Sequence, residues 1–382
     1  MTAGRSTAWL SRTSGAGDGG VVGGRVALML QPDLLERLSA GRTVVLVTGT
    51  NGKTTTAHLL AAALRTAGPV AHNATGANML DGVAAALMGD PTAPTAVLEV
   101  DELHLPEAVA RLRPAVVVLL NLTRDQLDRG SEVASVARVV RGALESEPTL
   151  VVANCDDALV ASVTSGLPRV LRVAAGSGWT EDATAWPDPV EQPSGVADWW
   201  LDGRVAVGPP GRVPLEIQLP GRFNDGNAVM ALAAATALGV PADRSSGAMV
   251  ALRSVAGRYG SIRRGNGRLH LLLAKNPAGW RETLPLLAAG EALLLAVNAR
   301  EPDGRDTSWL WDVPFEDLPP APVVASGEAA ADLGLRLSYA GVEHRTQREP
   351  LVGLHSLPPG DVTVVANYSA FAELLRHLHD AP

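Results

Sequence analysis

Val47-Thr48-Gly49-Thr50-Asn51-Gly52-Lys53-Thr54-Thr55-Thr56 decides how the rest of the chain is read. It follows the apolar run Thr43–Val47 and opens a segment, Thr54–Ala67, with helical periodicity. Strand, glycine-rich turn and helix, in that order, offer backbone N–H groups and the positive end of a helix dipole to phosphate oxygens. In such a loop Lys53 reaches the β- and γ-phosphates, and the Thr54 hydroxyl holds Mg2+. The spacing departs from a strict P-loop, because Val47 occupies the place of the first glycine. A tight turn with an exposed lysine is the simpler alternative. Gly-Lys-Thr-Thr directly after a strand argues against it.

Composition narrows the field. A chain of 382 residues is expected to form two or three domains, and 46% hydrophobic residues supply a sizeable core. A formal charge of −8 argues against a general nucleic-acid binder. The single cysteine, Cys155, allows neither an internal disulfide nor a Cys-based metal site, and it reads as a small side chain after a strand. No apolar run reaches the length of a membrane span, and no basic-then-apolar leader is seen, so a cytosolic protein is expected.

The chain reads in three parts. Residues 1–40 form an N-terminal segment whose glycine-rich centre, Ser14–Gly24, is expected to be a loop, with a short helix at Leu34–Leu38. Residues 41–260 carry apolar runs at Val44–Val47, Ala96–Val100, Ala115–Leu120 and Leu150–Ala153, expected as strands of a buried parallel sheet. Helical patterns lie between them at Thr54–Ala67, Leu105–Arg113 and Glu132–Glu145, and a further helix is expected at Asn227–Leu238. Gly176–Gly211 breaks the alternation and reads as a β-rich excursion or a long surface loop. Residues 261–382 alternate again, through His270–Leu273, Glu282–Ala288, Ala292–Val297, Glu328–Tyr339, Val362–Ala366 and Ser369–His379. The expected architecture is a P-loop α/β domain with a parallel sheet, followed by a smaller, Rossmann-like α/β domain.

Further candidates lie at strand ends. Glu99 closes an apolar strand in Leu98-Glu99-Val100-Asp101-Glu102, where a carboxylate beside a P-loop is placed to hold Mg2+. Asp101 and Glu102 read better as acids at a helix start. Asn121-Leu122-Thr123-Arg124-Asp125-Gln126-Leu127-Asp128-Arg129 follows the next strand and reaches the same rim. In Leu219-Pro220-Gly221-Arg222-Phe223-Asn224-Asp225-Gly226-Asn227-Ala228, Asn224 could cap the helix that follows. Gly257-Arg258-Tyr259-Gly260 falls at the domain junction.

Taken together and in this order, these stretches resemble the Mur ligase family, which includes folylpolyglutamate synthase and joins carboxylates to amines with ATP. The resemblance implies that Thr50, Asn51, Gly52, Lys53, Thr54 and Thr55 cradle the triphosphate and that Thr54 and Glu99 bind Mg2+. It also implies that Asn224 and Asn227 approach the adenine and that Arg258 reaches the ribose or phosphates. Amino-acid-adding members usually have His at the place of Gln126 and a different signature at Leu272-Leu273-Ala274-Lys275-Asn276-Pro277. The forty or so residues before the P-loop strand are too few for a Rossmann-like domain, so no counterpart of their sugar-binding N-terminal domain is expected there. These departures resemble the MurT-type branch, the ligase subunits of lipid II isoglutaminyl synthase. The matching stretches are Trp9–Arg12, Arg124–Arg129, Ala274–Trp280, Asp303–Asp312 and Ala366–Phe371.

The branch implies a heterodimer with a GatD-type glutaminase. It implies lipid II as substrate at the cytoplasmic membrane face and amidation of a D-glutamate carboxylate through an acyl phosphate. It further implies that an aspartate of the last domain, Asp306 or Asp312, completes the partner's catalytic triad. The four-cysteine zinc ribbon of several relatives cannot be built with Cys155 alone, so no zinc is expected. Trp179, Trp186, Trp199 and Trp200 are then expected to pack the 176–211 excursion without metal. The alternative reading is a stand-alone ligase that adds an amino acid, of the Mur or folylpolyglutamate type.

Overall fold

Thr43–Thr48 is apolar without alternation because it has a parallel neighbour on each side and is covered on both faces. The computed structural model describes residues 19–123, 133–176, 197–253, 259–301 and 303–379. The described residues through 253 form one compact unit, and those from 259 form a second.

The first unit holds β1 (Thr43–Thr48), β2 (Val70–His72), β3 (Thr95–Glu99), β4 (Val116–Leu119), β5 (Leu150–Asn154), β6 (Val170–Ala174), β7 (Trp199–Asp202), β8 (Val205–Gly208) and β9 (Gly211–Pro214). Their order is β2-β3-β1-β4-β5-β6-β7-β8-β9. Pairing is parallel from β2 through β7, and β8 and β9 continue as an antiparallel meander. The described end of the Gly176–Gly211 stretch is therefore β-structure, while Trp179 and Trp186 lie outside the described residues. The chain leaves β1 toward β2 on one side and leaves β4 toward β5 on the other. A crevice at the carboxyl ends of β1 and β4, where the direction of winding reverses, is where an open α/β sheet binds its ligand.

Alternate residues of β1 feed two core layers, Val45 and Val47 on one face, Val44 and Leu46 on the other. The first layer includes the helix Lys53–Arg65 packed on the helix Arg222–Ala237, which is buried continuously from Asn224 to Ala235. A helix rich in small residues and apolar nearly all round belongs inside the protein. The second layer takes in Leu34, Leu35 and Leu38, so the short helix Leu34–Ser39 packs into this unit.

The glycine-rich start differs from expectation. From residue 19 it is helical, Gly19–Leu30, rather than a loop. This helix packs on the helix Leu80–Gly89, and a Cβ at Gly24 would fall 1.9 Å from the Asp81 carbonyl oxygen. Glycine weakens the helix locally but permits the close approach, and tertiary packing overrides propensity.

The second unit holds β10 (Tyr259–Arg264), β11 (Gly267–Leu273), β12 (Ala292–Ala296), β13 (Val323–Ser326), β14 (His344–Gln347) and β15 (Val362–Ala366), in the order β10-β11-β15-β12-β13-β14. All pairs are parallel except β10 with β11. The helix expected at Glu282–Ala288 starts earlier, as Pro277–Thr283, and gives way to a 3-10 turn at Leu284–Leu286. The Asn276 side chain accepts from Gly279 N, and Pro277 fits the first helical position, so the helix begins at this cap.

Candidate functional site

The loop after β1 turns on two glycines with positive φ, Gly49 at 131° and Gly52 at 82°. Gly52 precedes the helix Lys53–Arg65, and a Cβ at Gly49 would come within 3.0 Å of the Asn121 backbone. The loop is tied to the end of β4 by matched pairs. Asn51 N donates to Asn121 Oδ1 at 2.8 Å, and Asn121 Nδ2 donates back to Asn51 O at 3.0 Å. Thr50 N donates to Asn121 O at 3.0 Å, and Thr123 N to Thr50 Oγ1 at 3.0 Å. The Asn121 stretch thus sits at the expected rim, and Arg124–Arg129 lie outside the described residues.

Thr54 meets a carboxylate at the end of β3, and Lys53 meets one on the turn that follows. The Thr54 hydroxyl donates to Glu99 Oε2 at 2.7 Å. Lys53 Nζ lies 3.0 Å from Glu102 Oε2, and its contacts also include the carbonyls of Gly49 and Thr50. Both partners of this ion pair are nearly buried, with side chains 4% and 11% exposed. Asp101 does act as a turn cap, accepting from Leu103 N at 3.1 Å, but Glu102 does not share that role.

Glu99 is fully buried, and its Oε1 has no hydrogen-bond partner. An acceptor oxygen left unmatched inside a protein is costly, and such an atom points to a ligand that satisfies it. Hard oxygens from Thr54 and Glu99 are the donor type Mg2+ prefers. The backbone of Glu99 is held by Asn73, whose Oδ1 accepts from Glu99 N at 2.8 Å while Nδ2 donates to Glu99 O at 2.9 Å and to Ala77 O at 2.8 Å. The same loop brings Gly76, at φ 77°, against the pair, and a Cβ there would stand 3.3 Å from Thr54 Oγ1. Asn73, Gly76 and Glu102 were not singled out for this chemistry in the sequence.

Asn224 and Asn227 lie on the buried helix Arg222–Ala237. Asn227 Oδ1 accepts from Thr56 Oγ1 at 3.1 Å, and Asn227 Nδ2 donates to Asn224 Oδ1 at 3.1 Å. The pair therefore ties that helix to the one that follows the glycine-rich loop. Beside it, burial raises the Asp225 carboxyl despite its contact with Arg204 at 3.2 Å. Arg258 lies outside the described residues.

In the second unit, Asp306 and Asp312 bracket the 3-10 turn Ser308–Asp312, and both are exposed. Asp306 accepts from Ser308 N at 2.8 Å, a bond that holds its carboxyl below its ordinary range. The Asp312 carbonyl accepts from Arg281 at 3.2 Å. Trp309 and Leu310 belong to the core, whereas Trp311 is 51% exposed. Its ring packs 5.2 Å from Tyr339, under the Arg336 guanidinium. Nearby Asp303 is buried, accepts from Ser369 N at 2.9 Å, and is shifted upward by its burial. It anchors this loop to the start of the helix Tyr368–His379.

Residues 47–235 match the Mur ligase middle domain, and residues 273–371 match the MurT ligase C-terminal domain. The MurT subunit of lipid II isoglutaminyl synthase (glutamine-hydrolyzing) from Streptococcus pneumoniae is 28% identical, covering 89% of this chain and 86% of that protein. The subunit of the same name from Staphylococcus aureus strain COL is 26% identical, over 93% of this chain and 92% of its own. Among solved structures, MurF from Acinetobacter baumannii superposes with a TM-score of 0.70 at 19% identity, over 93% of this chain and 80% of that one. Folylpolyglutamate synthase from Mycobacterium tuberculosis, complexed with ADP, gives 0.69 at 16% identity over 92% and 93%. Those two likenesses speak to the fold. With two domain matches in series and full-length relatives of one kind, the chain belongs to the Mur ligase family, in its MurT branch, and is a ligase.

Proposed function

We propose that the chain is the ATP-dependent ligase subunit of a lipid II isoglutaminyl synthase. The observation that carries this reading is the Lys53–Thr54–Glu99 cluster on a chain whose residues 273–371 match the MurT ligase C-terminal domain. The glycine-rich loop binds the triphosphate through its N–H groups, and Lys53 meets the β/γ-phosphates. Thr54 and Glu99 would hold Mg2+, which, when bound, offsets phosphate charge. Asn224 and Asn227 serve the adenine end and Arg258 the ribose or phosphates, as the family implies.

The γ-phosphoryl group passes to an oxygen of the D-glutamate α-carboxylate in the lipid II stem peptide, giving an acyl phosphate and ADP. Ammonia then attacks the carbonyl carbon, the carbon–oxygen bond to phosphate breaks, and a proton leaves the nitrogen. The product is the D-isoglutamine amide with inorganic phosphate. Ammonia comes from a GatD-type glutaminase partner, whose catalytic Cys–His pair is completed by Asp306 or Asp312. Such an acid orients the histidine and stabilises its charged form. Among the described residues no helix is long and apolar enough to cross a membrane, and the lipid-anchored substrate brings the protein to the membrane face.

The test supplies lipid II and ATP to the chain, with and without the glutaminase. ADP release and the mass of the stem peptide are followed with glutamine, ammonium or free amino acids as nitrogen donor. Amide formation is expected from glutamine only with the partner, and from ammonium with the chain alone. Addition of a whole amino acid would make this a stand-alone ligase instead.

A further inference from the structure

Among the described residues of the first unit, the exposed large apolar side chains are Val22, Met29, Leu30, Met79, Leu103 and Trp200. All but Trp200 lie in one region. Val22, Met29 and Leu30 belong to the helix Gly19–Leu30. That helix packs on the start of the helix Leu80–Gly89, where Gly24 meets Asp81 and Ala85. Met79 is the cap residue at the same start. Leu103 stands on the 3-10 turn Glu102–His104, and Asp101 N, just before that turn, donates to Asn78 O at 3.0 Å. The apolar region therefore runs from the N-terminal helix to the rim of the Thr54–Glu99 site.

The helix Gly19–Leu30 has no acid and one charged residue, Arg25. Gly23, Gly24 and Ala27 are buried against the protein. The other side carries Val22, Val26 and Met29, spaced four and three apart, with Leu30 beyond them. A helix that is apolar on both sides belongs between two apolar surroundings, and the protein supplies one of them.

Charge selects the other. The first thirty residues hold Arg5, Arg12 and Arg25 against a single acid, Asp18, in a chain of formal charge −8. Arg25 pairs with Asp81 at 3.1 Å and still keeps 68% of its side chain exposed. An anionic lipid surface attracts this end and repels the remainder, which turns the apolar helix toward the lipid. A second copy would bring like charges together. The eighteen residues before the helix hold only Met1, Trp9 and Leu10 as large apolar side chains, and offer little to cover it.

We propose that the outer face of the helix Gly19–Leu30, continued by Met79 and Leu103, is a docking surface for an anionic lipid bilayer. Val22, Met29 and Leu30 enter the layer between headgroups and acyl chains, and the helix lies along the bilayer plane. The inference rests on the reading of a lipid-borne substrate given above and names the surface that meets the lipid.

The experiment uses the full chain and vesicles that contain no lipid II. Flotation compares mixed phosphatidylglycerol and phosphatidylcholine with phosphatidylcholine alone, for the wild type and for Met29→Gln/Leu30→Gln. The wild type is expected to float with the anionic vesicles, less so as salt rises. The double variant should bind roughly tenfold more weakly and keep the wild-type melting point, since both side chains face outward. Leu335→Gln/Val352→Gln, on exposed apolar residues of the second unit, should bind as the wild type does. No wild-type flotation, or equal flotation of the wild type and the Met29/Leu30 variant, overturns the proposal. A wild-type dimer that this variant dissolves assigns the face to a second copy. A lowered melting point assigns it to the chain's own first residues. Either result also overturns the proposal.

Amidation separates the proposal from the reading beneath it. With ATP, ammonium and lipid II in anionic vesicles, the Met29/Leu30 variant should lose most turnover at low lipid and regain it as lipid is raised. With lipid II in detergent it should match the wild type. Equal turnover on vesicles at every lipid concentration overturns the docking surface. A wild type that amidates lipid II in neither setting removes the substrate reading, and flotation then decides the docking surface by itself.

Discussion

Asn73 offers the sharpest test of how the site is held. Its amide orientation is unambiguous, because Nδ2 faces two carbonyl oxygens and Oδ1 faces an N–H. Asn73→Ala removes three hydrogen bonds of 2.8, 2.9 and 2.8 Å and strands the N–H and C=O of Glu99 and the C=O of Ala77. At about 1 kcal/mol for each bond, the loss is about 3 kcal/mol. A domain of this size shifts by about 2–4 °C per kcal/mol, so the melting point should fall by about 6–12 °C. Asn73→Asp is the discriminating partner. It keeps the acceptor for Glu99 N–H but sets an oxygen against two carbonyls, so it should melt at least as low as the alanine variant. Thermal denaturation followed by circular dichroism gives both values. Magnesium titration of ADP binding should show weaker apparent metal affinity in each, since Glu99 loses its clamp. An aspartate variant with the wild-type melting point would refute the reasoning.

Lys53→Ala should abolish amidation and weaken ADP binding in calorimetry, with its circular dichroism spectrum unchanged. Asp306→Asn and Asp312→Asn, assayed separately in the assembled complex, should identify one variant that loses glutamine-driven turnover and keeps turnover on ammonium. Equal loss of both activities would assign the residue to the ligase half-reaction or to folding. Burial pushes the Glu282 carboxyl up to about 8 from an ordinary 4.5. Between those values the folded chain holds a proton that the unfolded chain has released, so stability should fall as pH rises, by up to about 1.4 kcal/mol per pH unit. Glu282→Gln should flatten that slope in urea titrations across the same window.

The parts of this protein that local sequence specifies were open to reading. β1 and its loop are legible because strand, glycines and helix start lie within about a dozen residues, and each obeys a local rule. Glu99 is legible for the same reason, as the last residue of an apolar run. Asn73 and Glu102 were not, because their partners lie 26 and 49 residues away and nothing local announces them. β14, His-Arg-Thr-Gln, escaped because an edge strand needs only one neighbour and shows no apolar run. The helix Gly19–Leu30 depends on a groove made by Leu80–Gly89, and its glycines suggest the opposite locally. At Asp303–Asp312 the motif was visible, but which tryptophan faces water was decided by packing.

The alanine-rich helix Arg222–Ala237 has a mechanical consequence. Alanine has no side-chain rotamers to exchange, and its burial costs no rotamer entropy. This helix packs on Lys53–Arg65, and with Ala228, Ala231, Ala234 and Ala235 all buried in that core there is little to rearrange short of moving whole backbones. The seat beneath the phosphate loop is therefore stiff. Any adjustment to a bound molecule is left to side chains at the rim that have rotatable bonds, such as Glu102 on its 3-10 turn, above an otherwise rigid base.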